Sequence, residues 1–257
     1  MQVGKMIADE IKYNIGSKIL RELEKKPIEN SLLIFDMTLE KPDRVEVFVE
    51  DYKNFLIFWK GFNTPDALIR AESEEKVEKL LKLIEDIDCT FLVPQELAGP
   101  IERKYPNMKK ENFLFFTLPD KESFNCIINH KVEKLEPRPE HIEQISREWS
   151  YSNDSSFILE KMSQYPFFGI EKGKELVSYA GTFAQTDKVS FLGFAHTKEE
   201  YRGQGMQKSV SSALVKEVLK QGTFPAMYIT ENNIPSIRVA EKLGFYCKTT
   251  HVRFFNP

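Results

Sequence analysis

The sequence predicts an α+β protein built in two halves. Three observations carry this. Strand-like and helix-like runs alternate through the first half, the second half opens on two helices followed by an antiparallel meander, and a two-glycine turn joins that meander to a long amphipathic helix. Such alternation argues against a helical bundle and gives the first half an α/β reading.

Taken in order, Ile7, Ile11, Ile15 and Ile19 recur every fourth residue and mark one face of a packing helix. Strand-like runs follow at residues 31–37, 45–49, 55–59 and 67–70. Ser73 reads as the N-cap of a helix that buries Val77, Leu80, Leu81, Ile84 and Ile87. A strand over 90–93, a helix from Pro94 to about Lys104 and a strand over 112–117 complete this half. Within the stretch 118–139, which carries Pro119, Pro137 and Pro139, the domain change is expected between about 118 and 131, so the expected domains are residues 1–125 and 131–257. A strand-like run at 131–135 precedes a helix from near Glu140 to Trp149, and a second helix follows a cap at Asn153-Asp154. Strands are expected at 167–171, 176–183 and 189–197, with a hairpin at 185–188 between the last two. The helix over 206–221 sets Met206, Val210, Ala213, Leu214 and Val218 toward a core.

Composition excludes several classes. With 257 residues, 41% hydrophobic and 29% charged, the chain is an ordinary globular one. Net charge is −3 and the basic residues are spread out, which argues against a nucleic-acid partner. Cys89, Cys126 and Cys247 are too scattered for a disulfide framework or a zinc site, so no metal and a reducing, cytoplasmic setting are expected. No apolar run is long enough to span a bilayer, and charge falls too early in residues 1–10 for a secretory leader. No membrane partner is expected.

The most telling stretch is Tyr201-Arg202-Gly203-Gln204-Gly205-Met206-Gln207-Lys208. A glycine-rich turn between a strand and a helix start points several backbone N–H groups at one spot, and the helix dipole adds about half a positive charge there. A diphosphate is the natural guest. The triphosphatase loop is excluded, since Arg202 and Gln207 stand where its glycines belong, and the dinucleotide fingerprint fails at Lys208. A second motif lies downstream: Asn233, Ser236, then a helix ending at Gly244-Phe245.

Arg202 with Gly205, followed by Asn233, Ser236, Gly244 and Phe245, resembles the GNAT superfamily of acyl-CoA N-acyltransferases over roughly residues 131–257. Gln207 departs from the pattern, which prefers Gly or Ala. The long first half, then Glu148-Trp149, is similar to the glycine N-acyltransferase-like branch, in which the first half is a degenerate relative of the catalytic half. The resemblance implies a mixed, mostly antiparallel sheet flanked by helices. It also implies acetyl-CoA or coenzyme A as acyl donor and a small-molecule amine or amino acid as acceptor. Backbone of Ala195, His196 and Thr197 would hold the pantetheine arm, the N–H groups of Gly203, Gln204, Gly205, Met206, Gln207 and Lys208 the pyrophosphate, and Asn233 with Ser236 the pantetheine from the other side. Arg202 has two readings, ordering the turn or touching the ligand.

The chemistry is less plain. Many relatives place an acidic Tyr four residues after the motif Ser, where this chain has Ala240, and others a Glu five residues before the motif Asn, where it has Tyr228. His196 is a candidate base because an imidazole titrates near ~6.5. Tyr228 is a candidate acid for the leaving thiolate. Glu231 and Cys247 are weaker candidates, Cys247 read as a small buried residue, and catalysis by proximity alone is a further option. The acceptor pocket is expected around 149–162 and 246–255. The rival reading is a noncatalytic CoA-binding or regulatory interaction module.

Overall fold

The computed structural model describes residues 4–7, 15–61, 64–84, 88–149, 154–173 and 175–256. The chain divides into two compact units. Residues 1–115 with 249–257 form unit 1, and residues 116–248 form unit 2. The last strand begins in unit 2 and ends in unit 1.

Unit 1 starts with strand β1 (Gly4–Ile7), helix α1 (Ile15–Leu23) and helix α2 (Ser31–Thr38). Strands β2 (Val45–Val49), β3 (Phe55–Trp59) and β4 (Asp66–Arg70) follow, then helix α3 (Glu74–Leu81), strand β5 (Thr90–Pro94), the short helix α4 (Gly99–Lys104) and strand β6 (Lys109–Thr117). β1 through β4 pair antiparallel in sequence order, whereas β4 and β5 pair parallel. The final strand β12 (Tyr246–Phe255) lies antiparallel to β5 through His251 to Phe254. Val77, Leu80, Leu81 and Ile84 pack with Ile101 against Leu56, Phe58, Ile69, Phe91, Val252 and Phe254. Ser73 caps α3 as its sequence suggests, its hydroxyl accepting from Lys76 N.

Two expectations in this unit are corrected. Residues 31–37 are helical, not a strand: Ser31, Ile34, Phe35 and Asp36 are buried, and the i to i−4 bonds Ile34 N to Asn30 O and Leu39 N to Phe35 O bracket the helix. The apolar run Leu-Leu-Ile-Phe has no alternation, so periodicity alone could not separate the two. Likewise the proposed first helix is broken, because residues 4–7 form β1 and the helix begins only at Ile15. Ile11 and Ile87, assigned above to buried helix faces, and Asn153, assigned to a cap, lie outside the described residues.

Unit 2 runs in the same order. Strand β7 (Glu133–Lys134) is followed by helices α5 (Pro139–Glu148) and α6 (Ser155–Gln164) and strands β8 (Phe167–Lys172), β9 (Glu175–Gln185) and β10 (Val189–Thr197). Helix α7 (Met206–Lys220), strand β11 (Phe224–Thr230) and helix α8 (Ile234–Lys242) then lead into β12. β7 through β10 pair antiparallel in order, and β10 pairs parallel with β11. Along the chain, the order of a strand, two helices, three antiparallel strands, a helix, a parallel strand, a helix and a last strand therefore occurs twice, over β1 to β6 and over β7 to β12. Asp154 caps α6 by accepting from Ser156 N, and the Thr186 hydroxyl closes the β9–β10 hairpin by accepting from Val189 N. In α7, Met206, Val210, Leu214, Val215 and Val218 are buried.

Candidate functional site

The site begins where β10 leaves β11. The parallel ladder holds Val189, Ser190 and Phe191 against Phe224, Pro225 and Ala226, and among the described residues it is recorded no further. On its other edge β10 stays paired with β9 as far as Thr197 opposite Ser178, with register shifts after Phe191 and Gly193. Phe194 carries the irregularity, at φ 52. A bulge re-aims the strand at that point, so the main chain over 194–197 has an edge available on the side away from β9. Ala195 is exposed there, and His196 and Thr197 are partly so.

Beyond β10 the chain makes one 3₁₀ turn, Glu199–Tyr201, and enters the glycine turn. Gly203 sits at φ 77 and Gly205 at φ 81, a left-handed region that other residues enter only at a cost of roughly 1–2 kcal/mol. Gly205 is the N-cap of α7, with no side chain capping it. Ser209 N is the first amide of the helix to find a carbonyl, that of Gly205, and Arg202 N donates to Glu199 O. Between them, the N–H groups of Gly203 through Lys208 find no acceptor among the described residues. A run of donors that ends at a helix start is the kind of main chain that forms a nest for an anion.

Charge reinforces it. Lys208 Nζ stands 4.0 Å from where a Cβ on Gly205 would be. Arg202 Nε donates to Thr197 O at 3.1 Å, tying the end of β10 to the loop. Gln207, the departure from the motif, turns toward the sheet. Its Oε1 accepts from Thr197 Oγ1 at 2.8 Å, and its Nε2 donates to Ser211 Oγ at 3.1 Å and Tyr179 O at 3.4 Å. The Ser178 hydroxyl, fully buried, joins Thr197 Oγ1 at 2.8 Å. Gln207 thus bonds the partly buried hydroxyls of Thr197 and Ser211 and turns its side chain away from the glycine turn.

His196 stands where β10 meets α5. Its Nε2 is 3.8 Å from Glu148 Oε2, and its ring stacks on Tyr179 at 5.6 Å. Burial lowers its pKa from 6.5; Glu148 pulls it up, and the nearby Arg202 and Lys198 push it further down. On balance the neutral imidazole is favoured. Glu148 Oε2 is buried with no hydrogen bond among the described residues, while Oε1 accepts from Gln144 Nε2 at 3.0 Å. Burial, then the neighbouring Glu148, push the Tyr179 phenol far above its usual range. Glu148, Tyr179 and Lys198 thus gather around His196, and the sequence had flagged only Glu148, as a landmark before Trp149. Their contact joins a helix end to two strands across long sequence separations, and no local pattern announces it.

Other candidates separate from this cluster. The ring of Tyr228 packs on Phe191 at 5.5 Å, and burial raises its phenol above the usual value, making it a hydrogen-bond donor and a weaker acid. Asn233 Oδ1 accepts from Ser236 N at 3.2 Å, capping α8, so the two motif residues first serve the helix. Ala240 is buried, and Glu231 is exposed. Cys247 is exposed, not buried as expected, because Tyr246 to Lys248 at the start of β12 all face outward. Trp149 stacks with Phe157 and Phe194 in an aromatic cluster, and Lys161 Nζ lies 5.0 Å from the Phe157 ring centre. Among the described residues no group of three or more His, Cys, Asp or Glu could hold a metal, and no helix is long and apolar enough to cross a membrane.

Comparison with known proteins defines the class of fold. The FR47-like protein family matches residues 167–254, which span β8 to β12 and include both motifs. An acetyltransferase from the GNAT family from Colwellia psychrerythraea is 14% identical, with each chain covered over 100% and a TM-score of 0.60. A GCN5-related N-acetyltransferase-like protein from Streptococcus suis is 16% identical over 94% of this chain and 99% of that one, at a TM-score of 0.62. A tandem GNAT protein from the clavulanic acid biosynthesis pathway is 12% identical over 98% of this chain and 97% of the other, at 0.61. No curated protein matches the sequence. The fold is that of the GNAT acetyltransferases, a mixed and mostly antiparallel sheet flanked by helices.

Proposed function

We propose that the protein is an acyl-CoA-dependent N-acyltransferase, using acetyl-CoA to acylate the amine of a small molecule or amino acid. The observation that carries this is the run of unclaimed N–H groups from Gly203 to Lys208 at the start of α7. Coenzyme A fits it chemically, since a pyrophosphate supplies acceptors for donors that otherwise lack them. The free edge of β10 at Ala195, His196 and Thr197 suits the amides of a pantetheine arm. Asn233 keeps its amide nitrogen for the same ligand while its oxygen caps α8. Bound acyl-CoA supplies the activated thioester.

An alkyl ammonium with a pKa near ~10 is not a nucleophile, so a proton must leave the acceptor before or during attack. His196 is suited to take it, being neutral, partly exposed and set on the strand proposed for the donor. Glu148 stabilises the imidazolium that results, 3.8 Å away. Tyr228, on the neighbouring strand, is the proposed hydrogen-bond donor to the departing sulfur, which takes its proton from solvent. The aromatic cluster of Trp149, Phe157 and Phe194 supports an acceptor site beside α5 and α6.

Titration calorimetry with CoA and acetyl-CoA tests the reading. The native protein binds both, and Gly205→Trp abolishes binding, because a bulky residue at φ 81 strains the turn and fills the nest. Unchanged affinity in that variant rejects the site. Release of CoA thiol across a panel of amines then separates the enzyme from the second reading, a CoA-binding module, which the buried Ala240 in place of an acid favours.

A further inference from the structure

The chain that connects the two repeats is laid along the proposed cofactor helix. Asn125 N donates to Leu243 O at 3.0 Å, Ile127 N to Ser212 Oγ at 3.0 Å and Asn129 N to Ser209 Oγ at 3.0 Å. Ile127 and Asn129, two apart on the connecting segment, therefore meet hydroxyls three apart on α7, and the segment descends toward the helix N-terminus. Ser209 and Ser212 are fully buried. At the end of this strap, His130 Nε2 meets Gln204 O at 2.8 Å. A carbonyl oxygen only accepts, so the imidazole is the donor.

We propose that His130 is a positioning residue for the diphosphate nest, and that residues 125–130 act as a clamp that sets it. The argument rests on the rigidity of one peptide unit. Gln204 C=O and Gly205 N–H belong to the same planar group, and in the trans form they point to opposite sides. Holding the oxygen on the His130 side turns the Gly205 N–H the other way, toward the face where its neighbours' N–H groups are unclaimed. Gly205 at φ 81, with no Cβ to restrict it, could otherwise rotate that plane freely. The same hydrogen bond polarises the peptide and makes its N–H a better donor. Ser209 fixes the base of the clamp one helical turn away, its hydroxyl also reaching Gly205 O at 3.4 Å.

This inference rests on the proposed CoA site, and the test separates the two. Calorimetry compares CoA with acetyl-pantetheine, which has the arm but no pyrophosphate, on the native protein, His130→Ala and His130→Gln. The expected result is a loss of roughly fivefold in CoA affinity for His130→Ala, the size of one hydrogen bond, with acetyl-pantetheine binding unchanged. His130→Gln, whose amide nitrogen falls near the imidazole Nε2, restores CoA binding. Equal CoA affinity in the native and Ala proteins overturns the clamp while leaving the site standing. Parallel loss for both ligands also overturns it, since that reports general disruption. A native protein that fails to bind CoA overturns both proposals.

Discussion

At the scale of single residues, the proposed reaction turns on how His196 is tuned. Burial and the cations Arg202 and Lys198 lower its pKa below 6.5, against the pull of Glu148. A base active only when neutral gives a kcat/KM that rises with pH and levels off before neutrality. The acid limb therefore lies below 6.5. Glu148→Gln removes the one influence that raises the value, so the limb should move to still lower pH while kcat at neutral pH falls, because the imidazolium loses its counter-charge. His196→Ala should cost roughly a hundredfold or more and erase the limb. A pH–rate profile of the three proteins checks this, and a limb that stays put in Glu148→Gln would remove Glu148 from the mechanism. Little of this was visible in the sequence. His196 stood out because it ends the strand expected to hold the pantetheine and an imidazole titrates near ~6.5, but a carboxylate some fifty positions away has no local signature until α5 and β10 are packed together.

At the scale of elements, the glycine turn was legible and its neighbours were half so. Gly203 and Gly205 mark themselves, since only a positive φ at a strand-to-helix junction demands such residues, and both adopt it. The helices with caps, α3 and α6, were readable for the same kind of local reason. Helix α2 was not, because an unbroken apolar run satisfies a buried strand and a buried helix equally. Gln207 was legible as a departure, yet the outcome depended on partners the sequence could not name: Thr197, Ser178 and Ser211 supply the hydrogen bonds that draw its side chain inward. Gln207→Ala should then lower stability by about 1–2 kcal/mol through the orphaned hydroxyls, and leave CoA affinity within about twofold. Thermal melts and calorimetry read the two effects separately. A large gain in affinity would mean that Gln207 obstructs the nest.

At the scale of the whole molecule, one order of elements occurs twice, and the sequence carried only the second copy's signature. The turn that corresponds to the glycine loop joins β4 to α3, and it reads Ala71-Glu72-Ser73. Nothing there makes a nest. Ser73 is extended at φ −158, its hydroxyl accepts from Lys76 N, and Glu74 and Glu75 occupy the first turn of the helix. The donors at that helix start are thus partly consumed, and its dipole is already met by carboxylates that would repel a phosphate. The nearby cations are also engaged, Lys76 with Glu50 and Lys53 with Glu72. Unit 1 keeps the sheet, the flanking helices and a dense core, which is what a repeat needs to fold, without a glycine turn at the corresponding helix start. Calorimetric titration of the native chain should accordingly give one CoA per polypeptide. Gly205→Trp should take that number to zero, whereas Glu74→Gln should leave both stoichiometry and affinity unchanged. A second binding event in the native protein, or one surviving in Gly205→Trp, would mean that the first repeat holds a diphosphate by means other than a helix-start nest.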